Sequence, residues 1–267
     1  MGGIAPQAAL DRGIEATLRH DRRVVTVSLA IVIVLAWLYL WRDVQAMSHM
    51  EMPGMSMEGM SHTSGTVALA LTFAMWTVMM IGMMLPSAAP AILLYGALVR
   101  KNGERGTVLP AVWIFTSGYL VVWTGFSLAA ASLQAVLEHT GLLTPMMASA
   151  STNFSAALLI AAGIYQWLPL KEVCLRKCRH PIEFFATRWR AGRSGAFRMG
   201  TAHGVYCVGC CWVLMLLLFV AGVMNLLWVA LLAGFVLAEK LLPMHELTTR
   251  VASVALILSG LVLLIKP

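Results

Sequence analysis

The chain has 267 residues, of which 60% are hydrophobic and 12% are charged, and its net charge is +7. Soluble domains carry roughly a quarter of charged residues, so this composition excludes an ordinary soluble domain and predicts a protein of the lipid bilayer. The positive charge is typical of cytoplasmic loops in membrane proteins and does not indicate nucleic-acid binding. The five cysteines are an odd number and do not form an extracellular disulfide framework.

Apolar stretches of about 18 residues predict membrane helices, and the lack of strand-like alternation disfavours an outer-membrane barrel. The sequence therefore predicts an all-α, polytopic membrane helix bundle with about seven transmembrane helices. The spans are expected at 24–41, 67–85 (or onward past two prolines to 99), 109–131, 154–168, 202–221, 224–242 and 251–265.

Basic residues cluster before the first span, after the second, between the fourth and fifth, and between the sixth and seventh. Because Lys and Arg concentrate in cytoplasmic loops, this pattern predicts a cytoplasmic amino terminus in a multi-pass protein of the bacterial inner membrane. The expected parts are a basic cytoplasmic leader (1–23), a signal-anchor helix (24–41), a periplasmic loop (42–66), and a six-helix membrane domain (67–267) with a basic cytoplasmic loop (169–199). Residues 44–46 also resemble a signal-peptide cleavage site, so cleavage of the first helix is an alternative. Residues 182–189 fit either an interfacial amphipathic helix or a solvated linker.

Methionine is concentrated in two runs, since 11 of the 18 methionines fall between Met47 and Met84. The first run lies in the polar outer loop, which has no core to fill. Thioethers and imidazoles are soft ligands that suit Cu(I), whereas a disordered, oxidation-prone linker is the alternative. The candidate ligands of this loop are His49, Met50, Met52, Met55, Met57, Met60 and His62.

The second run lies inside the second span. Met75, Met79 and Met83 repeat every four residues and share one face of a helix, and Met80 and Met84 widen that face. A row of thioethers predicts a path along which Cu(I) passes between sites of two or three ligands. Packing against another helix is the alternative.

The fifth span holds the densest set of soft ligands. His203, Cys207, Cys211 and Met215 are spaced by four residues, and Cys210 lies beside this row. An imidazole, three thiols and a thioether on one helical face predict a soft-metal site. Its loading should release protons, because thiols bind metal as thiolates.

Two glycines of this span, Gly204 and Gly209, predict that a neighbouring helix approaches closely. In the basic loop, Cys174, Cys178 and His180 lie among Lys and Arg, which favour thiolate. They are a possible cytoplasmic acceptor for the metal, or incidental cysteines of a basic segment.

Two charged residues, Glu239 and Lys240, lie near the inner end of the sixth span. Charges at membrane depth often mark a proton or ion path. The alternatives are that the two side chains pair with each other or extend to the interface.

Four segments resemble a bacterial integral-membrane family of unknown function that is described as predicted metal-binding. They are MWTVMMIGMMLPSAAP from Met75, GVYCVGCCW from Gly204, GVMNLLW from Gly222 and AEKLLP from Ala238, within a resemblance that covers roughly residues 67–267. The resemblance implies no established activity, and its signature positions here are Met75, Met79, Met80, Met83, Met84, Cys207, Cys210, Cys211, Glu239 and Lys240. The outer loop and the Met-x-x-x-Met spacing are also similar to those of copper uptake transporters. Those are three-span trimers, so only the ligand chemistry carries over.

The leading hypothesis is a Cu(I)-binding inner-membrane protein for copper transport or delivery, with Ag(I) as a mimic of the ion and no catalytic residues. Its expected partners are the bilayer and a periplasmic or cytoplasmic copper chaperone or cuproenzyme. The sequence has no His directly after the cysteine pair, which excludes c-type haem attachment, and it shows no nucleotide-binding loop. The alternatives are a thiol-disulfide oxidoreductase using Cys207 and Cys210, although a disulfide inside one helix is awkward, and a non-catalytic accessory or assembly subunit of a membrane complex.

Overall fold

The computed structural model describes residues 4–50, 65–101, 108–144, 147–242 and 245–265. Within these residues the chain is helical and forms no strand, which confirms the predicted all-α class. The helices in chain order are α1 (Ile4–Met50), α2 (Gly65–Lys101), α3 (Val108–His139), α4 (Thr152–Gln166), α5 (Pro169–Arg179), α6 (Pro181–Arg188), α7 (Gly192–Leu216), α8 (Leu218–Ala221), α9 (Leu226–Leu241) and α10 (His245–Ile265).

Five helical segments are long and apolar enough to cross a membrane: Asp21–Ala46, Gly65–Lys101, Val108–His139, Gly192–Ala221 and Glu246–Ile265. Helices α4 and α5 add a sixth if they form one span broken by a bend of 65°. Helix α9 has 16 residues and is roughly 24 Å long, which is shorter than a hydrocarbon layer of about 30 Å. The described part of the chain thus offers five or six such segments, and a seventh span stays a prediction.

Helix α2 continues through Pro86 and Pro90, so the longer of its two predicted extents is confirmed. Pro86 lacks the N–H that would bond the carbonyl of Gly82 four residues earlier. Trp37 of α1 donates its indole N–H to that carbonyl over 3.3 Å. Helix α1 therefore replaces the hydrogen bond that the proline removes.

Glycines bring α3 and α7 into backbone contact. A Cβ atom added to Gly200 of α7 would lie 1.9 Å from the carbonyl oxygen of Phe115, and one added to Gly118 of α3 would lie 2.3 Å from that of Phe197. A Cβ on Gly204 would meet α3 at 3.0 Å, so the close approach predicted there is confirmed. Because α3 packs against α2 as well, it connects the methionine-rich helix with the cysteine-rich helix.

A second close pairing joins α4 to α10. A Cβ on Gly163 would lie 2.5 Å from the Ile257 side chain, and one on Gly260 would lie 2.7 Å from that of Ile160. Ser253 of α10 donates its hydroxyl to the carbonyl of Gly163 over 2.7 Å. These contacts hold α10 against the bundle although most of its surface is apolar and exposed.

The segment predicted as a basic loop, 169–199, consists of α5, α6 and the first turns of α7. Phe184 and Phe185 of α6 are buried, and Phe185 contacts Tyr95 and Phe115 with ring centroids 5.6 and 5.7 Å away. Both predicted alternatives for residues 182–189 placed these rings at an interface or in solvent, and the burial corrects them. Burial of a large aromatic ring contributes more to stability than burial of a smaller side chain. The two rings fill the space at one end of the interface between α2, α3 and α7.

Helix α1 also differs from the predicted boundaries. It begins at Ile4 and ends at Met50, so part of the basic leader and part of the outer loop belong to the same helix as the first span. Between residues 8 and 46 the sequence has no proline and is rich in Ala, Leu, Arg and Val. A polar stretch without a helix breaker continues a helix that the apolar stretch has already nucleated.

Candidate metal centre

The thiol of Cys207 lies where three helices meet. The Sγ atom is 3.1 Å from the hydroxyl of Tyr119 on α3 and 3.0 Å from Nζ of Lys240 on α9, which donates to it. Cys207, on α7, is 1% exposed and Lys240 is 6% exposed. A buried ammonium group requires a partner, and here its partners are a sulfur atom and the hydroxyl of Ser87 on α2, at 2.8 Å.

Three more thiols surround this position. Cys210 and Cys211 donate their S–H groups to the carbonyl oxygen of Cys207, with Sγ to O distances of 3.1 and 2.9 Å. Cys178 of α5 lies close to the thiols of Cys207 and Cys210. These four residues, Cys178, Cys207, Cys210 and Cys211, are called the cysteine cluster below.

All five cysteines of the chain are free thiols. The fifth, Cys174, packs on the same segment of α7, because a Cβ added to Gly209 would lie 2.7 Å from its Sγ atom. The close approach predicted at Gly209 is therefore confirmed, and the helix that approaches is α5. Among the described residues, no three His, Cys, Asp or Glu side chains stand in an arrangement that could already hold a metal ion.

The methionines of α2 form a buried row that ends beside the cysteine cluster. Their exposed fractions are all 5% or less; they are Met75, Met79, Met80, Met83 and Met84. The carbonyl oxygen of Met84 accepts hydrogen bonds from Tyr119 (3.2 Å) and from Ser87 (2.9 Å). Since the same tyrosine contacts the sulfur of Cys207 and the same serine accepts from Lys240, the Met84 end of the methionine row and the cysteine cluster share two bridging side chains.

The row on α7 is too long to form one site. His203, Cys207, Cys211 and Met215 are all buried, and successive members lie about 6 Å apart along the helix axis. Met215 is therefore roughly 12 Å from Cys207 along the axis, beyond the reach of a single ion. The row offers neighbouring positions, and at the level of Cys207 the sulfur atoms come from two helices, α5 and α7.

His203 is packed among aromatic rings, with centroid distances of 5.5 Å to Phe184, 6.2 Å to Phe115 and 5.9 Å to Tyr119. Its Nδ1 atom is buried and has no hydrogen-bond partner among the described residues. Buried polar atoms are rarely left without a partner, so this nitrogen is a candidate ligand one turn from Cys207.

Glu239 and Lys240 do not pair with each other, which corrects one of the predicted alternatives. Adjacent residues on a helix point about 100° apart. Glu239 forms a buried salt bridge with Lys171 over 2.5 Å and accepts from Thr249 over 3.1 Å, whereas Lys240 faces Cys207. Arg179 donates to the carbonyl oxygen of Glu239 over 2.5 Å.

Other predicted ligands lie elsewhere. His180 is exposed at the junction of α5 and α6, away from the cysteine cluster that contains Cys178. His49 and Met50 belong to the last turn of α1, but their side chains lie outside the described part. Met52, Met55, Met57, Met60 and His62 lie outside the described residues altogether.

The model of the family PpoB2, described as "Copper chaperone", matches residues 73–263. The chain belongs to this family. No curated protein and no solved structure matches it. The matched region contains the methionine row, the cysteine cluster and Lys240, and it supports a copper-related role for the chain.

Sequence reasoning missed two members of the centre, Tyr119 and Ser87, and placed a third, Cys178, in a separate site. Tyr119 is a single hydroxyl in an apolar span, and Ser87 lies between two prolines. Cys178 was assigned to a cytoplasmic acceptor because it follows a run of basic residues. The available signals were weak: a polar side chain inside a membrane span has to find a partner, but only the packing of α3, α5 and α9 shows which one.

Proposed function

We propose that this protein is a membrane copper chaperone that binds Cu(I) at the cysteine cluster and passes it on. The observation that carries the proposal is the cysteine cluster itself, four thiols of which three are buried, beside a fixed cation and at the end of a row of five thioethers. Soft thiolate and thioether ligands select Cu(I) over hard cations, and Ag(I) should bind the same atoms.

The charges at the centre suit a monovalent ion held by two thiolates. Such a complex carries one net negative charge, and a buried charge needs a partner of the opposite sign. Lys240 supplies that partner at 3.0 Å from Cys207. For binding, Cys210 or Cys211 has to release the carbonyl oxygen of Cys207 and lose its proton. Copper loading should therefore release protons to the buffer.

The route to the centre follows from the methionine row. Copper would be captured by the Met/His loop at 47–62 on the periplasmic side, pass along the thioethers of α2, and reach Cys207 through the Met84 level. The cytoplasmic amino terminus and seven spans in the bacterial inner membrane belong to this proposal. Weak thioether ligands followed by stronger thiolates give a rising affinity toward the centre. His203 and Met215 would extend the path along α7.

Metal analysis of the reduced full-length protein tests the centre. After loading with Cu(I) and removal of excess ion, the unaltered protein is expected to retain copper that the Cys207→Ser/Cys210→Ser/Cys211→Ser variant does not. The matched control is Cys174→Ser, which removes a neighbouring thiol outside the cluster. Equal copper in the triple variant and the unaltered protein would refute the proposed centre.

Delivery to a partner and transport across the membrane differ in where the bound copper goes. Vesicles containing the protein in one orientation should show no net copper movement if the protein hands its ion to a partner, and net movement if it transports. The family description favours delivery, with a copper enzyme or a soluble copper chaperone as the acceptor. Sustained copper uptake or export by the protein without a partner would indicate that its function is transport and not delivery.

A thiol oxidoreductase is the second candidate, and one contact favours it. Cys178 and Cys207 belong to different helices and lie close to each other, so a disulfide between them would avoid the awkward geometry of a bond within one helix. Forming it releases two protons and two electrons to an acceptor such as a quinone. Trapping of a mixed disulfide between Cys178 or Cys207 and a partner protein, without copper retention, would support this function against copper delivery.

A further inference from the structure

A second polar site lies between α6 and the start of α7, away from the cysteine cluster. It is a cavity of about 690 Å³ whose lining includes Arg188, Arg190 and Arg198. The three guanidinium groups come from the end of α6, the connection to α7 and the second turn of α7. This cavity is called the arginine cavity below.

Among the described residues, no acidic side chain lines the arginine cavity. The nearest one in sequence, Glu183, is held by Lys177 of α5 over 2.6 Å, and this hydrogen bond lowers the pKa of the carboxyl group. Glu183 is thus already paired on the α5 side. Arg188 lies over the ring of Tyr206 at 5.5 Å, which orients its guanidinium group. The cavity therefore has a concentrated positive charge that an anion is suited to neutralise.

The arginine cavity is continuous with an apolar strip on α7. Thr201 and Val205 line the cavity, and Trp212 follows two turns further along the same side of the helix. Val205 is 59% exposed and Trp212 is 40% exposed. Both lie in Gly192–Ala221, one of the segments able to cross a membrane. A ligand that matches the whole surface has an anionic head for the arginines and a hydrocarbon chain for the strip.

We propose that the arginine cavity binds the phosphate headgroup of an anionic phospholipid whose acyl chain lies along Val205 and Trp212. Guanidinium groups recognise phosphate oxygens through paired N–H donors, and basic pockets beside membrane helices are suited to anionic lipid headgroups. A soluble phosphate would use the same arginines but not the apolar strip. This site is independent of copper binding.

The test is lipid binding by the full-length protein in phosphatidylcholine-containing micelles. Phosphatidylglycerol is titrated, and retained lipid is measured by native mass spectrometry. The Arg188→Gln/Arg190→Gln/Arg198→Gln variant is expected to bind phosphatidylglycerol about 100-fold more weakly, because each arginine near a charged lipid contributes roughly a factor of five. Replacement of the same three residues by Lys should retain part of the affinity, since the charge is kept but the paired N–H donors are lost.

The matched control removes three exposed arginines elsewhere, at Arg23, Arg42 and Arg250. An equal loss in this control would show general surface attraction and overturn the proposal, as would equal affinity for phosphatidylcholine. Inorganic phosphate that displaces the lipid at equal concentration would show a soluble-anion site instead. If the triple variant does not fold, Arg190→Gln alone should weaken binding about fivefold, and no weakening overturns the proposal. Copper retention should be unchanged in every arginine variant.

Discussion

Replacement of Gly200 by Ala should separate α3 from α7 and disturb the metal centre at the same time. The added methyl group would start 1.9 Å from the carbonyl oxygen of Phe115, and ordinary contacts of this kind begin at 3.4 Å. The obstacle is backbone, so no side-chain rotation can relieve it. The two helices have to move apart by about 1.5 Å, and overpacking of this kind costs about 2–3 kcal/mol of unfolding free energy.

The displacement reaches the cysteine cluster through Tyr119. This residue is one turn from Phe115 on the same helix, and its hydroxyl lies 3.1 Å from Sγ of Cys207. A separation of about 1.5 Å breaks that hydrogen bond, which adds about 1 kcal/mol to the loss of stability. Thermal unfolding in detergent measures the first effect. Competition with a chromophoric Cu(I) chelator measures the second, and the affinity should fall together with stability.

The control for this prediction is Gly125→Ala, on α3. A Cβ atom at Gly125 would meet nothing within 4 Å, so the substitution should change stability by less than about 1 kcal/mol and in the stabilising direction, because Ala favours a helix over Gly. Equal stability and equal copper affinity in the two variants would refute the close α3–α7 contact as the element that positions Tyr119 against Cys207.

Three further substitutions test the centre. Lys240→Met should lower Cu(I) affinity roughly 10–100-fold in chelator competition, as is usual when a group that supports the ligands is lost; unchanged affinity would remove the charge-balance role. Cys178→Ser should lower Cu(I) affinity in the same assay, whereas Cys174→Ser should leave it nearly unchanged. If Cys174→Ser lowers the affinity and Cys178→Ser does not, Cys174 is the cysteine of α5 that belongs to the cluster. Glu239→Gln should lower the unfolding free energy by about 3–5 kcal/mol in denaturant unfolding, because buried Lys171 loses its ionic partner. The Glu239→Leu/Lys171→Met double variant should recover much of this loss, because it removes both charges. Failure to recover would show that the broken ion pair does not cause the loss of stability.

The parts of the structure that depend on local sequence were predictable. Helical class followed from long apolar stretches without alternation. The methionine row of α2 and the cysteines of α7 were assigned to single helical faces from their spacing, and the structure buries both sets. The glycine positions Gly204 and Gly209 indicated close helix contacts, since a residue without a side chain lets a neighbouring backbone or side chain approach.

Relations between helices were not available from spacing alone. Cys178 lies 29 positions before Cys207 in a segment rich in Lys and Arg, and its composition suggested a solvated loop. The segment instead folds as α5 and packs on α7, because its apolar face, with Cys174 and Leu175, is buried. The composition of a short helix is an average over its exposed and buried faces. The basic residues of the exposed face therefore outweigh the few apolar residues and cysteines of the buried face.

The neighbouring charges of α9 explain why the cation at Cys207 is fixed in place. Glu239 is tied to Lys171 on α5 and to Thr249 on α10, and its carbonyl oxygen accepts from Arg179. These contacts set the rotation of α9 about its axis. With that rotation fixed, the next residue, Lys240, points about 100° away, toward α2 and α7, where Ser87 and Cys207 receive it. Glu239 therefore acts on the centre through position, whereas Lys240 acts through charge, and a polar pair that is adjacent in sequence serves two separate networks.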